Sequence, residues 1–548
     1  MQNTPKNTQK KQSFLGGAAV LALATAIVKV IGAFYKIPLQ RIIGETGYGF
    51  FSTAYDVYSV LLMISTTGLP VAMSRMISEA QALGRPAQIR RIHSVAYRVF
   101  LTLGLIGTLG MSVFCVQLAT MCGQKDAWFA VLCLSPSVLF MCITSSYRGF
   151  FQGQGDMRPT SLSQVSEALC KLFIGLAAAY GIMKYFSNNG TTATEAGMTR
   201  AYSWAAGGAI LGVTVGCLVA MLMLMVMHRK ADRALDGGDR RVKSRNRTLR
   251  QLLAIAIPIT IGAAGLQIIS LIDTVVYMYR LKGAAGFTQE QANTLKGIYN
   301  FCQTIFNLPC AFVSPLIVSI IPALTEHITM KNRRGERIVT ESSLRVMSLI
   351  AMPCAVGLAV LPGQIYQMLA SHSQSSLTTA KPVLAILGVC VLFNCMVLLT
   401  NAIMQAHGDV TLPVIHMLIG GVIKIVVNYI LVGNPKLNIV GAAIGTLTCY
   451  IAITCMNVVA MRKRNYQLHL ARTMLKPLLA SLLMGVVAFF GYRLVAAVLH
   501  PGTVATVAAV ALAALVYVIL VLVLRIITRE DCELLPKGDK IAKILRIR

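Results

Sequence analysis

The sequence predicts an all-α, polytopic membrane protein with about fourteen transmembrane helices: two six-helix lobes and two further C-terminal helices. Apolar stretches of about 20 residues, long enough to cross a bilayer as a helix, recur along the whole chain. Of the 548 residues, 56% are hydrophobic and 13% are charged, whereas a soluble protein has about 25% charged residues. Length, composition and this recurrence therefore agree on the fold class.

The apolar stretches define fourteen predicted spans, and the loops between them define an orientation. In chain order the spans lie near residues 14–37, 50–74, 93–120, 127–148, 160–182, 201–227, 251–279, 296–322, 344–363, 382–404, 412–433, 439–460, 476–499 and 503–527. Lysine and arginine are concentrated in alternate loops, a pattern that marks the cytoplasmic side. We therefore expect a multi-pass protein of the cytoplasmic membrane with both termini in the cytoplasm.

The net charge of +30 at pH 7 follows from these loops. No basic domain stands apart from the spans, so we expect no binding to nucleic acid. Most of the fourteen cysteines lie inside apolar stretches and none has a metal-ligand spacing. We interpret them as small hydrophobic residues and predict no bound metal. The polar, basic start "MQNTPKNTQKKQS" predicts a cytoplasmic tail before a retained first span.

The longest hydrophilic loop, residues 228–250, divides the chain into parts. It is rich in arginine and contains Gly237 and Gly238, which is typical of a flexible connector. We therefore predict an N-terminal lobe over 1–227, a cytoplasmic basic linker over 228–250 and a C-terminal lobe over 251–460. The last part, 461–548, holds the two extra helices and a basic cytoplasmic tail.

An internal repeat supports two lobes. The stretch "FFQGQGDMRPTSLSQVSEALCKLFIGLAAAYG" resembles "IMQAHGDVTLPVIHMLIGGVIKIVVNYILVG". The shared Gln-x-x-Gly-Asp predicts a structural cytoplasmic turn, because glycine supplies backbone freedom and aspartate a local cap. Both copies have the same orientation, as in transporters built from parallel repeats. The aligned pairs are Gln152 with Gln405, Gly155 with Gly408, Asp156 with Asp409, and Lys171 with Lys424.

Two lysines lie in the first predicted span. Lys29 and Lys36 are seven residues apart, which leaves them about 20° apart around a helix. A charge at mid-bilayer costs at least ~2.5 kcal/mol, so it should face a cavity or a partner. Lys36 is near the outer end, where snorkelling to the headgroup layer explains it equally well. Lys29 lies deeper, and we favour a cavity role for it.

Three further charges lie within predicted spans. Lys171 has Glu167 one helical turn before it, so a buried ion pair is the simplest explanation. The corresponding position before Lys424 is Gly420, which leaves a substrate role open for that lysine. Asp273 is the one acid deep in the seventh span. It could neutralise a cavity lysine or bind a coupling cation.

Other polar groups have simpler explanations. We predict an interfacial aromatic belt for the tyrosines near the outer half of the first two spans, and anchors for lipid phosphates in the arginines at inner ends. The first set is Tyr35, Tyr55 and Tyr58 with Asp56, and the second is Arg75, Arg148 and Arg158. No P-loop, GxSxG or other catalytic set occurs, so we expect no enzyme and no ATP-driven pump. A passive carrier, or one driven by an ion gradient or the membrane potential, remains.

Three stretches carry a family resemblance: "KVIGAFYKIPLQRIIGETGYGFFSTAYDVYSVLLMISTTGLPVAMSRMISEA", "YRGFFQGQGDMRPTSLSQVSE" and "LQIISLIDTV". They resemble the stage V sporulation protein B and YtgP branch of the multidrug/oligosaccharidyl-lipid/polysaccharide flippase superfamily, related to the MurJ lipid II flippases. The resemblance implies alternating-access movement of an undecaprenyl-pyrophosphate-linked saccharide in polysaccharide or peptidoglycan biosynthesis. It implies a lipid-linked anionic saccharide, the bilayer and cell-wall synthesis proteins as partners.

The resemblance also bears on the site. Lys29 falls where MurJ-type flippases carry a cavity arginine, and lysine suits phosphate as a point charge. Other cavity positions of that group hold different residues here, so its arginine set does not transfer; these positions are Tyr35, Lys36, Leu62, Gln303 and Thr304. The candidate substrate-binding residues are thus Lys29, Lys36, Lys171, Lys424 and Asp273.

Two alternatives stay open. A cation-coupled multidrug exporter of the same superfamily would need an acidic or aromatic cavity, which Asp273 favours and the intramembrane lysines oppose. A non-transport scaffold for cell-wall or spore assembly would make those lysines dispensable. The sequence does not identify the glycan.

Overall fold

The computed structural model describes residues 6–233, 242–370, 374–466, 470–499 and 502–526. Within these ranges every regular element is helical, so the predicted all-α class is confirmed. Gly237 and Gly238 of the basic linker, and the basic C-terminal tail beyond residue 526, lie outside the described residues.

Contacts between helices divide the chain into two compact units, Met1–Met278 and Tyr279–Arg548, which we call the first and second unit. The division falls inside the helix that follows the basic linker. The helices up to that point are α1 (Lys6–Thr66), α2 (Gly68–Ala82), α3 (Pro86–Val113), α4 (Cys115–Met121), α5 (Trp128–Gly153), α6 (Arg158–Asn188), α7 (Glu195–Arg233) and α8 (Arg245–Lys282). Short 3-10 helices lie at Lys125–Ala127 and Thr191–Ala193.

The second unit continues with eight helices in the described residues. They are α9 (Gln289–Thr329), α10 (Arg333–Val360), α11 (Pro362–Leu369), α12 (Gln374–Ala406), α13 (Thr411–Val432), α14 (Val440–Lys463), α15 (Leu470–Leu499) and α16 (Thr503–Val523).

The chain is a multi-pass membrane protein: twelve candidate spans in the described residues are long and apolar enough to cross a membrane. The first runs from Ile27 to Ala82 over 56 residues; it includes all of the second predicted span, 50–74, and the end of the first, 14–37. Gly44 separates these spans, because its φ of 65° and ψ of −173° interrupt the helix. The predicted eighth span lies within α9.

Small residues bring α6 and α7 together in the first unit. A Cβ atom on Gly212 of α7 would overlap the backbone nitrogen of Gly175 on α6. A Cβ atom on Gly216 would lie 2.8 Å from the carbonyl oxygen of Glu167. Membrane helices often pack through such glycines, which let two backbones approach. This contact fixes the α6 face that carries Glu167 and Lys171.

The internal repeat appears as matching local structure in the two units. Helices α5 and α12 end at aligned residues, Gly153 and Ala406, and α6 and α13 begin at aligned residues, Arg158 and Thr411. In the turns between them, Gly155 has a φ of 82° and Gly408 a φ of 90°, the left-handed region that favours glycine. Each glycine amide donates to a glutamine carbonyl at 3.0 Å; the acceptors are Gln152 and Gln405.

The two aspartates of these turns have different partners. The Asp156 carboxylate accepts a hydrogen bond from the backbone amide of Arg158 at 3.1 Å. The Asp409 carboxylate accepts from the side chains of Arg464 and Tyr466, at the end of α14 and just beyond it. Asp156 thus caps its own turn, whereas Asp409 ties its turn to a neighbouring helix.

Candidate functional site

The candidate site is a group of charged and aromatic side chains in the first unit, which we call the lysine cluster; it consists of Tyr35, Lys36, Tyr55, Asp56, Arg148, Glu167 and Lys171. Helix α1 packs on α5, α6 and α7. The side chains of the cluster come from α1, α5 and α6. The break at Gly44 divides α1 into two segments, which carry Tyr35 and Tyr55 respectively. Both segments contribute aromatic rings to one lysine.

That lysine is Lys171, at the centre of α6. Its ammonium nitrogen lies 5.0 Å from the ring centroid of Tyr35 and 4.8 Å from that of Tyr55. The Tyr35 hydroxyl donates to the carbonyl oxygen of Ala209 on α7 at 3.0 Å, which fixes that ring. An ammonium over aromatic faces is stabilised by roughly 2 kcal/mol when desolvated. The two rings therefore hold a cation inside the protein without neutralising its charge.

Lys36 adds a second positive charge to the cluster. It lies within electrostatic range of Lys171, so the two ammonium groups repel one another. Asp56, on the second segment of α1, attracts Lys36. The cluster therefore places two lysines near each other, and a doubly charged anion would relieve their repulsion.

Glu167 does not form the ion pair with Lys171 that the sequence predicts. Its Oε2 atom lies 3.1 Å from a terminal nitrogen of Arg148 on α5, and its Oε1 atom lies 3.9 Å from the Cys217 thiol on α7. Arg148 also donates from Nε to Ser163 Oγ at 3.0 Å. In the part of the chain that the structure describes, no carboxylate lies within 4.0 Å of the Lys171 ammonium. Arg148 is thus an internal ion-pair partner and not a lipid-phosphate anchor.

The predicted aromatic belt is also wrong for the tyrosines of the first two spans. Tyr35 is 0% exposed and Tyr58 is 4% exposed, so neither can lie at a lipid–water interface. Tyr55 packs 4.9 Å from the Phe51 ring and 6.2 Å from the Tyr58 ring, measured between centroids. The Tyr55 hydroxyl is buried without a hydrogen-bond partner among the described residues. Tyr35 and Tyr55 belong to the lysine cluster instead, and Tyr58 packs against Tyr55.

Lys29 lies two turns before Lys36 on the same face of α1 and is exposed. The large apolar side chains of Ile27 and Phe34 are 43% and 66% exposed. They project about 140–160° away from Lys29 around the helix. The exposed lysine and the exposed apolar groups therefore belong to different faces of α1.

The remaining predicted charges lie elsewhere. Lys424 is half-buried on α13 of the second unit, where its charge acts on the Cys390 thiol of α12 and the Tyr450 hydroxyl of α14. Asp273 is 3% exposed on α8 beside Thr274, also buried. The structure thus brings together Lys36 and Lys171 in one cluster and places Lys424 in the other unit.

The role of Arg148 as the ion-pair partner of Glu167 was not predicted from the sequence. Ser163, Glu167 and Lys171 recur every four residues on α6, which puts them on one helix face. That spacing was visible in the sequence. Which residue of another helix faces them was not, because it depends on how α5 packs against α6.

The second unit contains an apolar cavity of about 550 Å³ that the sequence did not predict. Helices α9, α10, α11, α15 and α16 line it, with Pro309, Pro353, Leu358, Met484 and Tyr517 among the residues on its wall. Only side chains from the two C-terminal helices and the second lobe contribute. This volume is within the range of ligand-binding cavities in proteins.

The sequence profile of the polysaccharide biosynthesis protein family matches residues 14–327, more than half of the chain. The chain belongs to the polysaccharide biosynthesis protein family. The MatE profile matches residues 295–430. Together these matches place the chain in the superfamily of multidrug, lipid-linked oligosaccharide and polysaccharide transporters.

Curated relatives from Bacillus subtilis (strain 168) align with nearly the whole chain. The uncharacterised membrane protein YabM is 26% identical, over 97% of this chain and 96% of its own length. Stage V sporulation protein B is 24% identical over 83% of this chain and 84% of its own length. The lipid II flippase MurJ is 26% identical over 86% and 87% respectively. The family member is therefore related to both sporulation and lipid II flippase branches.

A solved structure agrees on the fold. The lipid II flippase MurJ in an inward closed conformation superposes with a TM-score of 0.67 and 14% sequence identity. The superposition covers 92% of this chain and 98% of that one. The shared architecture is thus established.

Proposed function

We propose that the protein is a flippase that moves an undecaprenyl-pyrophosphate-linked saccharide, such as a lipid II-like cell-wall precursor, across the cytoplasmic membrane by alternating access. The observation that carries the proposal is the Lys171 ammonium, which two tyrosine rings hold beside Lys36 and which has no carboxylate within 4.0 Å among the described residues. A diphosphate entering a low-dielectric site needs such charge-assisted donors. Lys29, on the same face of α1, would meet the anion first.

Two further observations support a lipid-linked cargo. The apolar cavity of the second unit is lined almost wholly by hydrocarbon and sulfur-containing side chains, which suits an isoprenyl or acyl chain. Among relatives, the protein named lipid II flippase is 26% identical to this chain. A cargo with a diphosphate, a sugar and a polyisoprenyl tail carries both anionic and apolar groups, and cell-wall synthesis proteins would supply or receive it.

Two of the candidate residues have secondary roles in this proposal. Lys424 would bind an anionic group of the cargo. Asp273 would neutralise a lysine in the unloaded state or bind a coupling cation. Both chain ends would lie in the cytoplasm, as the basic loops predict.

The test is reconstitution of the purified protein in liposomes with defined undecaprenyl-diphosphate-linked saccharides, measuring movement from the inner to the outer leaflet. We expect transport by the wild type and at least a tenfold loss for the double variant Lys36→Gln/Lys171→Gln, since each lysine supplies a charge-assisted contact. Lys184→Gln, which changes an exposed lysine on the same helix as Lys171, is the control and should transport normally.

Other outcomes would overturn the proposal. Export of organic cations in place of lipid-linked saccharides would identify a multidrug exporter. Failure to transport either class, with full complementation of cell-wall or spore defects by the double variant, would identify a scaffold.

A further inference from the structure

The position of Glu167 creates a problem for the proposed site. Glutamate four residues before lysine is the favourable order for an ion pair on a helix. A carboxylate bound to Lys171 would neutralise the ammonium and compete with an anionic ligand for it. The site therefore needs something that keeps this carboxylate away from the lysine.

Arg148 meets this requirement. Its guanidinium spans one turn of α6, with Nε donating to Ser163 Oγ at 3.0 Å and a terminal nitrogen bound to Glu167 Oε2 at 3.1 Å. The Arg148 side chain is 11% exposed and that of Glu167 is 25% exposed, so water screens this pair weakly. The second oxygen of Glu167 faces the Cys217 thiol at 3.9 Å. Both carboxylate oxygens thus have partners other than the Lys171 ammonium, and Glu167 acts on that ammonium only through the longer-range electrostatic attraction.

The packing of α7 makes this arrangement possible. Because Gly216 has no side chain, α7 approaches the Glu167 carbonyl closely enough for the neighbouring Cys217 thiol to reach the carboxylate. Arg148 approaches from α5 on the other side. Glu167 is held between two helices, neither of which carries Lys171.

We propose that Arg148 is a positioning residue that sequesters Glu167 and so keeps the Lys171 charge available to the diphosphate; the ligand in this statement rests on the proposed function. With Arg148 present, the three charges of Arg148, Glu167 and Lys171 leave one net positive charge at the site. Without it, Glu167 is free to rotate to Lys171 and the pair becomes neutral. Arg148 acts through Glu167 and does not itself contact the ligand.

The first experiment measures binding of undecaprenyl diphosphate to the full-length protein in lipid nanodiscs. Arg148→Gln should weaken binding about tenfold, which is the loss of one charge-assisted contact. The double variant Arg148→Gln/Glu167→Gln should recover most of the affinity, since no carboxylate remains to occupy Lys171. Arg158→Gln removes an exposed arginine at the start of α6 and is the charge-matched control. A double variant as weak as Arg148→Gln would overturn the proposal.

A second experiment needs no ligand and therefore separates this inference from the proposed function. The midpoint of thermal unfolding is compared for Lys171→Gln in the wild type and in Arg148→Gln. The substitution should lower the midpoint by several degrees more in the Arg148→Gln background, because only there does Glu167 pair with Lys171. Equal shifts in both backgrounds would refute the inference, even if transport is confirmed.

Ser163→Ala is a milder variant that tests the inference if Arg148→Gln does not fold. It removes one anchor of the Arg148 side chain but keeps every charge, so it should weaken diphosphate binding less than Arg148→Gln. An effect as large as that of Arg148→Gln would show that local packing, and not the charge of Arg148, determines affinity.

Discussion

Lys171 and Lys424 occupy aligned positions of the two repeats, yet their surroundings differ in charge. In the first unit, Arg148 binds Ser163 and Glu167 across the α5–α6 contact. The residues aligned with these three in the second unit are Asn401, His416 and Gly420. The positions of an ion pair in one unit are thus occupied by an amide, an imidazole and a glycine in the other.

The second unit joins its helices at this point through an amide network. The Asn457 side chain of α14 donates from Nδ2 to Asn401 Oδ1 at 2.8 Å and to Thr400 Oγ1 at 2.9 Å. Its Oδ1 atom lies 2.7 Å from His416 Nδ1. A buried polar network of this kind satisfies its members and specifies one packing arrangement. It joins the helices through side-chain hydrogen bonds where the first unit has the Arg148–Glu167 ion pair.

The glycines at these helix contacts also lie on different helices of the two repeats. In the first unit Gly216 of α7 faces Glu167, whereas in the second unit Gly420 of α13 faces Cys449 and Ile453 of α14. The space given to a carboxylate in one repeat is filled by apolar side chains in the other. The two repeats thus share the lysine and the turn, while the residues aligned with Arg148, Ser163 and Glu167 form a hydrogen-bonded and apolar contact in the second unit.

The largest effect is expected where backbones touch. Gly212→Ala would force a methyl group against the backbone of Gly175, which cannot rotate away, so we expect a loss of about 3 kcal/mol in stability. Gly420→Ala meets the buried side chain of Ile453, which is restricted at χ1 but can shift more than a backbone can, so it should cost less, about 2 kcal/mol. Thermal unfolding of detergent-purified protein measures both.

Gly181→Ala is the control for these glycine variants, because a Cβ atom there would have nothing within 4 Å. It should not destabilise the protein. If Gly420→Ala cost as much as Gly212→Ala, the contrast between rigid and adaptable helix contacts would be lost.

The second-largest effect is expected in the liposome transport assay, when Lys171 and Lys424 are substituted one at a time. Lys171→Gln should reduce transport of the lipid-linked saccharide about tenfold, since it removes one charge-assisted contact. Lys424→Gln should cause a clearly smaller loss, because Lys171, together with Lys36, belongs to the site that favours a doubly charged anion. Equal losses would mean that both repeats bind the anion and that the difference in their surroundings has no functional consequence.

Much of the fold could be predicted from the sequence because each relevant signal is local. Apolar stretches defined the helices, and the Gln-x-x-Gly-Asp motif defined turns whose glycines, Gly155 and Gly408, have positive φ angles. The break between the first two spans falls at Gly44, inside one long helical element. Such features depend on a few neighbouring residues.

The candidate site was less predictable because it depends on contacts between helices. Lys36 and Lys171 were each identified from their depth in a span, but 135 residues of chain separate them, and nothing local shows that they are neighbours. The tyrosines were assigned to the lipid interface because their position along the span is compatible with either environment. The partner of Glu167 was also predicted wrongly. Lys171 lies on the same helix and can be recognised from local spacing, whereas Arg148 lies on another helix and cannot.

The smallest effect is expected at the two turns, and here the units should behave alike. An alanine at the left-handed positions Gly155 or Gly408 has room, since nothing lies within 4 Å of a Cβ atom there, so backbone strain alone should cost about 1 kcal/mol in each case. Thermal unfolding of Gly155→Ala and Gly408→Ala tests this. A much larger cost for Gly408→Ala would show that the Asp409 contacts with Arg464 and Tyr466 depend on the turn. The repeats would then differ at the turn as well as at the lysines.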